Sequence, residues 1–169
     1  MHTRAGEAIT LQWGVLYRLY KPEDFTALYE IEEICFQPPF RFGRGYMRQL
    51  VSSADAATWI AEEDGQMAGF AIVEWELETD GTIAYIQTLE VDPEQRGAGV
   101  GAELLRRVEG SARMAGADRI WLHVDAENGG AIRLYERHGY RINGREENYY
   151  AHGRAALVYS KALEMQPDS

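Results

Sequence analysis

Val91-Asp92-Pro93-Glu94-Gln95-Arg96-Gly97-Ala98-Gly99-Val100-Gly101 carries a strand into a helix across three glycines and one arginine. Pro93 ends the strand, because it fixes φ and removes a backbone donor. The glycines let the backbone take positive φ and approach a ligand closely. A helix that starts near Gly99 leaves its first amides unpaired, with a dipole that favours negative charge. Arg96, Gly97, Ala98, Gly99, Val100 and Gly101 are therefore predicted to form an anion site suited to a pyrophosphate, with a plain glycine turn as the alternative. A P-loop is excluded, since no lysine or hydroxyl residue follows Gly101. The dinucleotide fingerprint fits poorly, because position 102 is alanine. Its glycines should also follow the first strand of a βαβ unit rather than a meander.

Working outward, Val15–Tyr20 reads as a strand. Pro22 opens a helix whose apolar face is Phe25, Leu28, Ile31 and Cys35. That helix stops before Pro38-Pro39, and residues 36–45 form a loop with Phe36, Phe40 and Phe42. A short helix follows over 46–51. Ala57–Ala61 and Gln66–Glu76 read as strands joined by Asp64-Gly65. Asp80-Gly81 marks the next hairpin turn, into the strand Thr82–Val91. Beyond the glycines come a helix over Ala102–Ala115, a strand Arg119–Val124, a helix Ala131–His138 and a strand Arg154–Lys161. A strand meander followed by a β-α-β-α-β tail is an α/β or α+β layered fold.

The length of 169 residues suits one domain, with a core over about 15–163 and frayed ends at 1–10 and 164–169. No apolar run approaches a membrane span, and the polar N-terminus is no secretory signal. Cys35 is the single cysteine, so no internal disulfide forms and a cytoplasmic setting is expected. A net charge of −10 repels nucleic acid and mildly attracts amines. His2, His138, His152 and Cys35 lack metal-ligand spacing, so no metal is expected. Oligomeric state stays open between monomer and homodimer.

Arg96-x-x-Gly99-x-Gly101 matches the Arg/Gln-x-x-Gly-x-Gly/Ala signature of GNAT acetyltransferases. Asn128-x-x-Ala131-x-x-Leu134-Tyr135-x-x-x-Gly139-Tyr140 resembles that superfamily's second motif, in the family's order and separation. The resemblance covers roughly 15–163. It implies a mixed, mostly antiparallel sheet of about seven strands flanked by helices, with a splay between the central strands. It also implies acetyl-coenzyme A as co-substrate. Leu89, Glu90, Val91, the Arg96–Gly101 turn, Asn128 and Tyr135 would hold the coenzyme.

Within the superfamily the chain resembles the peptide Nα-acetyltransferases. Phe36-x-Pro38-Pro39-Phe40 resembles the loop that lines the peptide N-terminus. Tyr85-Ile86-x-Thr88-Leu89 matches the strand that pairs with pantetheine, and Leu122-His123-Val124 the strand beside it. Asn148-Tyr149-Tyr150 matches the tyrosine pair that closes over the substrate. Phe36, Pro38, Phe40, Tyr149 and Tyr150 are thereby implied as acceptor contacts. Bacterial ribosomal-alanine enzymes usually carry a glutamate where this chain has His123. Members specialised for N-terminal methionine carry Tyr and His, as Tyr85 and His123 do here.

Acetyl transfer needs an amine that loses its proton, a donor for the developing oxyanion and a proton for the leaving thiolate. An α-amine is roughly a tenth neutral at pH 7, far more than a lysine amine. His123 fits either a base near pH 7 or a satisfied core residue. Tyr85 fits either its partner through water or packing. Tyr135, at an ordinary phenol pKa, fits either an acid toward thiolate or packing beside Leu134. The acceptor implied is a peptide or protein N-terminus. A small amine, or a coenzyme A-binding regulator without turnover, are the rivals.

Overall fold

The computed structural model describes residues 10–12 and 14–164. The chain ends predicted to fray lie almost wholly outside these residues, as does His2. In chain order the elements are β1 (Thr10–Gln12), β2 (Val15–Leu19), α1 (Phe25–Cys35), α2 (Arg44–Ser52), β3 (Ala56–Glu63), β4 (Gln66–Glu78) and β5 (Gly81–Val91). They continue with α3 (Val100–Met114), β6 (Ala117–Asp125), α4 (Gly129–Arg137), β7 (Arg141–Ala151) and β8 (Arg154–Ala162). All eight strands form one sheet in the order β1-β2-β3-β4-β5-β6-β8-β7. The eighth, beyond the seven expected, is the three-residue β1. Among the described residues no helix is long and apolar enough to cross a membrane.

The meander is set by two-residue loops. Asp64 and Gly65 both take positive φ, at 52° and 77°, which matches the twist of the strands they join. In the next hairpin Glu78 pairs with Gly81. The loop there is thus Thr79-Asp80, one residue earlier than the Asp80-Gly81 turn expected. Pro22 opens a short 3-10 turn, and α1 proper begins at Phe25.

β4 is buried on both faces from Ala68 to Val73. Phe70 and Ile72 pack with Ile60 against Leu28, Ile31, Met47 and Leu50 of α1 and α2. Ala71 and Val73 face Leu104, Leu105, Val108 and Ala112 of α3. The period of two sorts the strand between two cores, each fully buried leucine contributing about 1.5–3 kcal/mol.

The sheet opens at its centre. β5 and β6 pair in parallel only from Thr82↔Ala117 to Tyr85↔Trp121. β5 stays paired with β4 to Val91, and β6 with β8 to Asp125. The two halves therefore diverge between Ile86–Val91 and Leu122–Asp125. Next to the opening, the β4–β5 register skips Gln87, a bulge that adds local twist.

Candidate active site

The splay is the mouth of a cleft of about 780 Å³. Phe36, Pro39, Phe40 and Phe42 wall it from the α1–α2 loop, and Tyr85–Leu89 and Leu122–Asp125 from the two strands. Asn128, Ala131 and Tyr135 come from α4, and Tyr149 and Tyr150 from β7.

Tyr85 closes the β5–β6 ladder opposite Trp121, and His123 lies two residues further along the same face. The Tyr85 hydroxyl is 2.9 Å from His123 Nδ1. The Tyr85 ring meets Trp121 edge-on at 4.5 Å. His123 stacks flat on Tyr149, centroids 4.3 Å apart and planes 5° from parallel. Its Nε2 is 3.1 Å from Glu146 Oε1. Burial, then the neighbouring Tyr149, pushes the Tyr85 pKa far above the ordinary phenol value. Its hydroxyl therefore stays protonated across the neutral range.

Tyr135 is also buried, and that burial raises its pKa well above the ordinary phenol value assumed from sequence. It is a weaker acid than a free tyrosine, and among the described residues its hydroxyl has no protein partner. Asn128 caps α4, its Oδ1 accepting from the Ala131 amide at 3.1 Å.

The Phe36–Phe42 loop meets β7 directly, with Phe40 and Tyr150 ring centroids 4.9 Å apart. Arg154, bonded to both Asp125 oxygens, lies over the Phe40 ring at 5.1 Å and lines the cleft beside it. Pro39, not Pro38, lines the cleft. Pro38 precedes it in the loop, its own backbone restricted by the proline that follows. Asn148–Tyr150 lies at the end of β7, with Asn148 at φ 55° and its Oδ1 accepting from the Gly153 amide.

The glycine turn begins beyond Leu89, where the cleft lining stops on β5. Glu103 donates a helical bond to Gly99 O at 3.1 Å, so the amides of Val100, Gly101 and Ala102 have no partner four residues back. Gly97 and Gly99 take φ of 89° and 80°. The Arg96 side chain folds back onto Val91 O and Cys35 Sγ, bracing the turn rather than reaching outward. Val100's side chain is core. What residues 97–102 offer a pyrophosphate is backbone amide, which fits an anion there.

Cys35, expected in the core, lines the cleft half-buried, and burial pushes its thiol up to about 11. Glu90, implied as a coenzyme contact, does not line the cleft. Its buried carboxyl accepts from Thr88 Oγ1 at 2.6 Å and faces the equally buried Glu32. Glu32 Oε2 in turn accepts from the Phe42 amide at 3.0 Å. Glu32 Oε1 and Glu90 Oε1 have no donor when both groups are carboxylates. A proton on Glu90 supplies that donor. Burial, then the hydrogen bond to Glu32 and its charge, raises the Glu90 pKa well above the carboxylate range.

A carboxyl raised in the folded state binds its proton there while the unfolded chain has lost it. It thus contributes stability that falls as pH rises above about 4.3, by at most about 1.4 kcal/mol per pH unit. Glu90→Gln keeps a donor and removes the titration. We expect it to raise the thermal midpoint by a few degrees more at pH 8 than at pH 5. Equal shifts in melting curves at both pH values would show that Glu90 does not titrate in this window.

The residue missed from sequence is Glu146 as a partner of His123. The two are 23 residues apart on separate strands. No linear spacing joins them.

The model of the acetyltransferase (GNAT) family matches residues 25–140. A Bacillus subtilis (strain 168) protein, provisionally named a ribosomal protein bS18-alanine N-acetyltransferase, is 31% identical over 137 residues, 80% of this chain and 87% of that protein. The streptothricin acetyltransferase of Streptomyces lavendulae is 37% identical over 112 residues, 63% of this chain and 58% of that protein. Among solved structures, Arabidopsis thaliana Naa50 with the bisubstrate analogue CoA-Ac-MVNAL superposes with a TM-score of 0.77 at 26% identity. That match covers 88% of this chain and 99% of the other. The Escherichia coli ribosomal-protein-S18-alanine N-acetyltransferase, at 24% identity and a TM-score of 0.77, shares the fold. With a family match over most of its length laid on a splayed sheet and an amide-rich turn, the chain belongs to the acetyltransferase (GNAT) family and is an N-acetyltransferase.

Proposed function

We propose that the chain acetylates the α-amine of a peptide or protein N-terminus, with Tyr85, His123 and Tyr135 as its catalytic residues. The observation that carries this reading is the 2.9 Å Tyr85–His123 pair, set where the sheet opens beneath aromatic walls. Acetyl-coenzyme A supplies the activated thioester. The Gly97–Ala102 amides would hold its pyrophosphate. The edge of β5 beyond Tyr85, unpaired toward β6, offers N–H and C=O groups to its amide-bearing arm. Tyr85 takes the proton from the attacking amine and His123 receives the one Tyr85 gives up. Tyr135, buried in the same cleft, holds its proton for the leaving sulfur.

Phe36, Pro39 and Phe40 on one side and Tyr149 and Tyr150 on the other suit a neutral, extended first residue. Methionine's flexible thioether packs well among such rings. The Naa50 analogue, which begins with Met, agrees with that choice. A Met-leading peptide should be acetylated, and its N-terminally blocked form should be inert. A free polyamine should be the poorer acceptor, as read by thiol release and product mass. A polyamine that is far the better acceptor overturns the peptide reading.

A second reading has its own observation. A hollow lined by Asp55, Glu74, Glu76 and Glu78 adjoins the cleft and shares Tyr46, Tyr85, His123 and Tyr149 with it. Its charge suits a cationic small amine, and the similarity to streptothricin acetyltransferase agrees with that. The same acceptor panel separates the two.

A further inference from the structure

We propose that Glu146 is a positioning residue for the acetyl transfer, the outer member of a relay that runs Tyr85–His123–Glu146. This inference rests on the reading that Tyr85 and His123 handle the acceptor's proton. Both ring nitrogens of His123 are engaged, Nδ1 with the Tyr85 hydroxyl at 2.9 Å and Nε2 with Glu146 Oε1 at 3.1 Å. The ring cannot turn freely, because Tyr149 covers one face of it. An ionised carboxylate only accepts hydrogen bonds. Glu146 therefore fixes the hydrogen on Nε2 and leaves the Nδ1 lone pair for the O–H of Tyr85. With the opposite tautomer, Tyr85 could not hand a proton to the ring at all.

The proton balance follows from that tautomer. As the amine nitrogen bonds to the acetyl carbon, its N–H proton passes to the Tyr85 oxygen. The Tyr85 O–H proton passes to His123 Nδ1. Tyr85 ends neutral, in keeping with a buried phenol that resists ionisation. His123 becomes an imidazolium, and Glu146 supplies the opposite charge beside it. Tyr135 gives its proton to the leaving sulfur as cleft water replaces it, so that this buried phenol, like Tyr85, ends neutral. The imidazolium then returns its Nδ1 proton through Tyr85 to cleft water, which restores the proton lent to Tyr135. Net, the amine's proton ends on the sulfur.

Exposure and alternatives single out Glu146. The His123 side chain is 9% exposed, so a charge formed there is poorly solvated and needs a partner. Glu146 is 52% exposed and keeps its own hydration. Among the described residues, beyond the Asp55, Glu74, Glu76 and Glu78 carboxylates that line the adjoining hollow, the groups touching the ring are Tyr85 from β5, Glu146 and Tyr149 from β7, and Trp121 from its own strand. Glu146 is the one carboxylate among them. Its neighbour Glu147 is paired with Arg145 instead.

The test uses the full chain with Glu146→Gln, Glu146→Ala and Glu146→Asp beside Tyr85→Phe and His123→Ala. In E146Q and E146A we expect kcat to fall about 10- to 100-fold, less than loss of the acid–base pair itself. KM for either substrate should stay within about twofold. E146D or added formate with E146A should restore part of kcat. The imidazole 15N resonances of His123, assigned by their loss in H123A, should report the Nε2–H tautomer in the wild type and a mixture in E146Q. Wild-type kcat and an unmixed Nε2–H tautomer in E146Q, with wild-type kcat in E146A and with Y85F and H123A crippled, overturn the relay alone. Full activity in Y85F and H123A overturns the underlying reading as well.

Discussion

Tyr85→Phe is expected to lower kcat by about 10²- to 10⁴-fold, the span that a positioned proton-transfer group contributes, and to leave acetyl-coenzyme A affinity within about twofold. The substitution removes one oxygen and keeps the ring that packs edge-on against Trp121. The proton path is thus cut while the walls of the cleft stand. The folding cost is that of leaving the largely buried His123 Nδ1 without its partner, about 1–3 kcal/mol. At this chain length that lowers the melting temperature by several degrees without unfolding the protein at 25 °C. His123→Ala should lose a similar factor in kcat. The double variant should be little worse than the poorer single one, because residues acting as a unit are not additive. Steady-state thiol release, calorimetry with the coenzyme and melting curves read the three quantities separately. A Tyr85→Phe enzyme within threefold of wild-type kcat would remove Tyr85 from the chemistry.

The parts of this fold encoded in contiguous residues were legible in the sequence. The Arg96–Gly101 turn, the Asp64-Gly65 hairpin and the amphipathic faces of α1 and α3 each follow from local spacing. Tyr85 and His123 were placed on their strands, and the resemblance paired them. β7 was not legible as a strand. Residues 141–148 read Arg-Ile-Asn-Gly-Arg-Glu-Glu-Asn, and all but one are exposed, so there is no alternation to detect. With β7 unseen, its register could not bring Glu146 to His123 or seat Tyr149 flat on the imidazole. Glu90 shows the opposite limit. Its place on β5 follows from the local pattern, but the direction of its side chain depends on Glu32, 58 positions earlier in the sequence and buried with it. Arg96 likewise faces Cys35 across a contact between α1 and the turn. A charged residue in a ligand motif can brace the backbone that binds, and the motif alone does not tell the two roles apart.

Gly99→Val should weaken acetyl-coenzyme A binding by at least about 100-fold, some 2.7 kcal/mol, while the chain still folds. The argument rests on what the new side chain would and would not meet. Gly99 sits at φ 80°, and a Cβ built there meets nothing within 4 Å. Folding therefore pays only the left-handed backbone strain, about 1–2 kcal/mol, which lowers the melting temperature by roughly 2–8 °C. Gly99 is the N-cap of α3, next to the helix's first amides, the groups that offer an anion partial positive charge. A valine there screens those amides and occupies the volume through which a pyrophosphate would reach them. Gly65→Val is the matched control. Gly65 has φ 77° and an equally open Cβ direction, but it lies in the β3–β4 hairpin rather than at the start of α3. The two variants should melt alike and differ in calorimetry, with coenzyme affinity lost in Gly99→Val and kept in Gly65→Val. Unchanged affinity in Gly99→Val, or equal loss in both, would show that the turn does not hold the coenzyme and that the glycine serves the backbone alone.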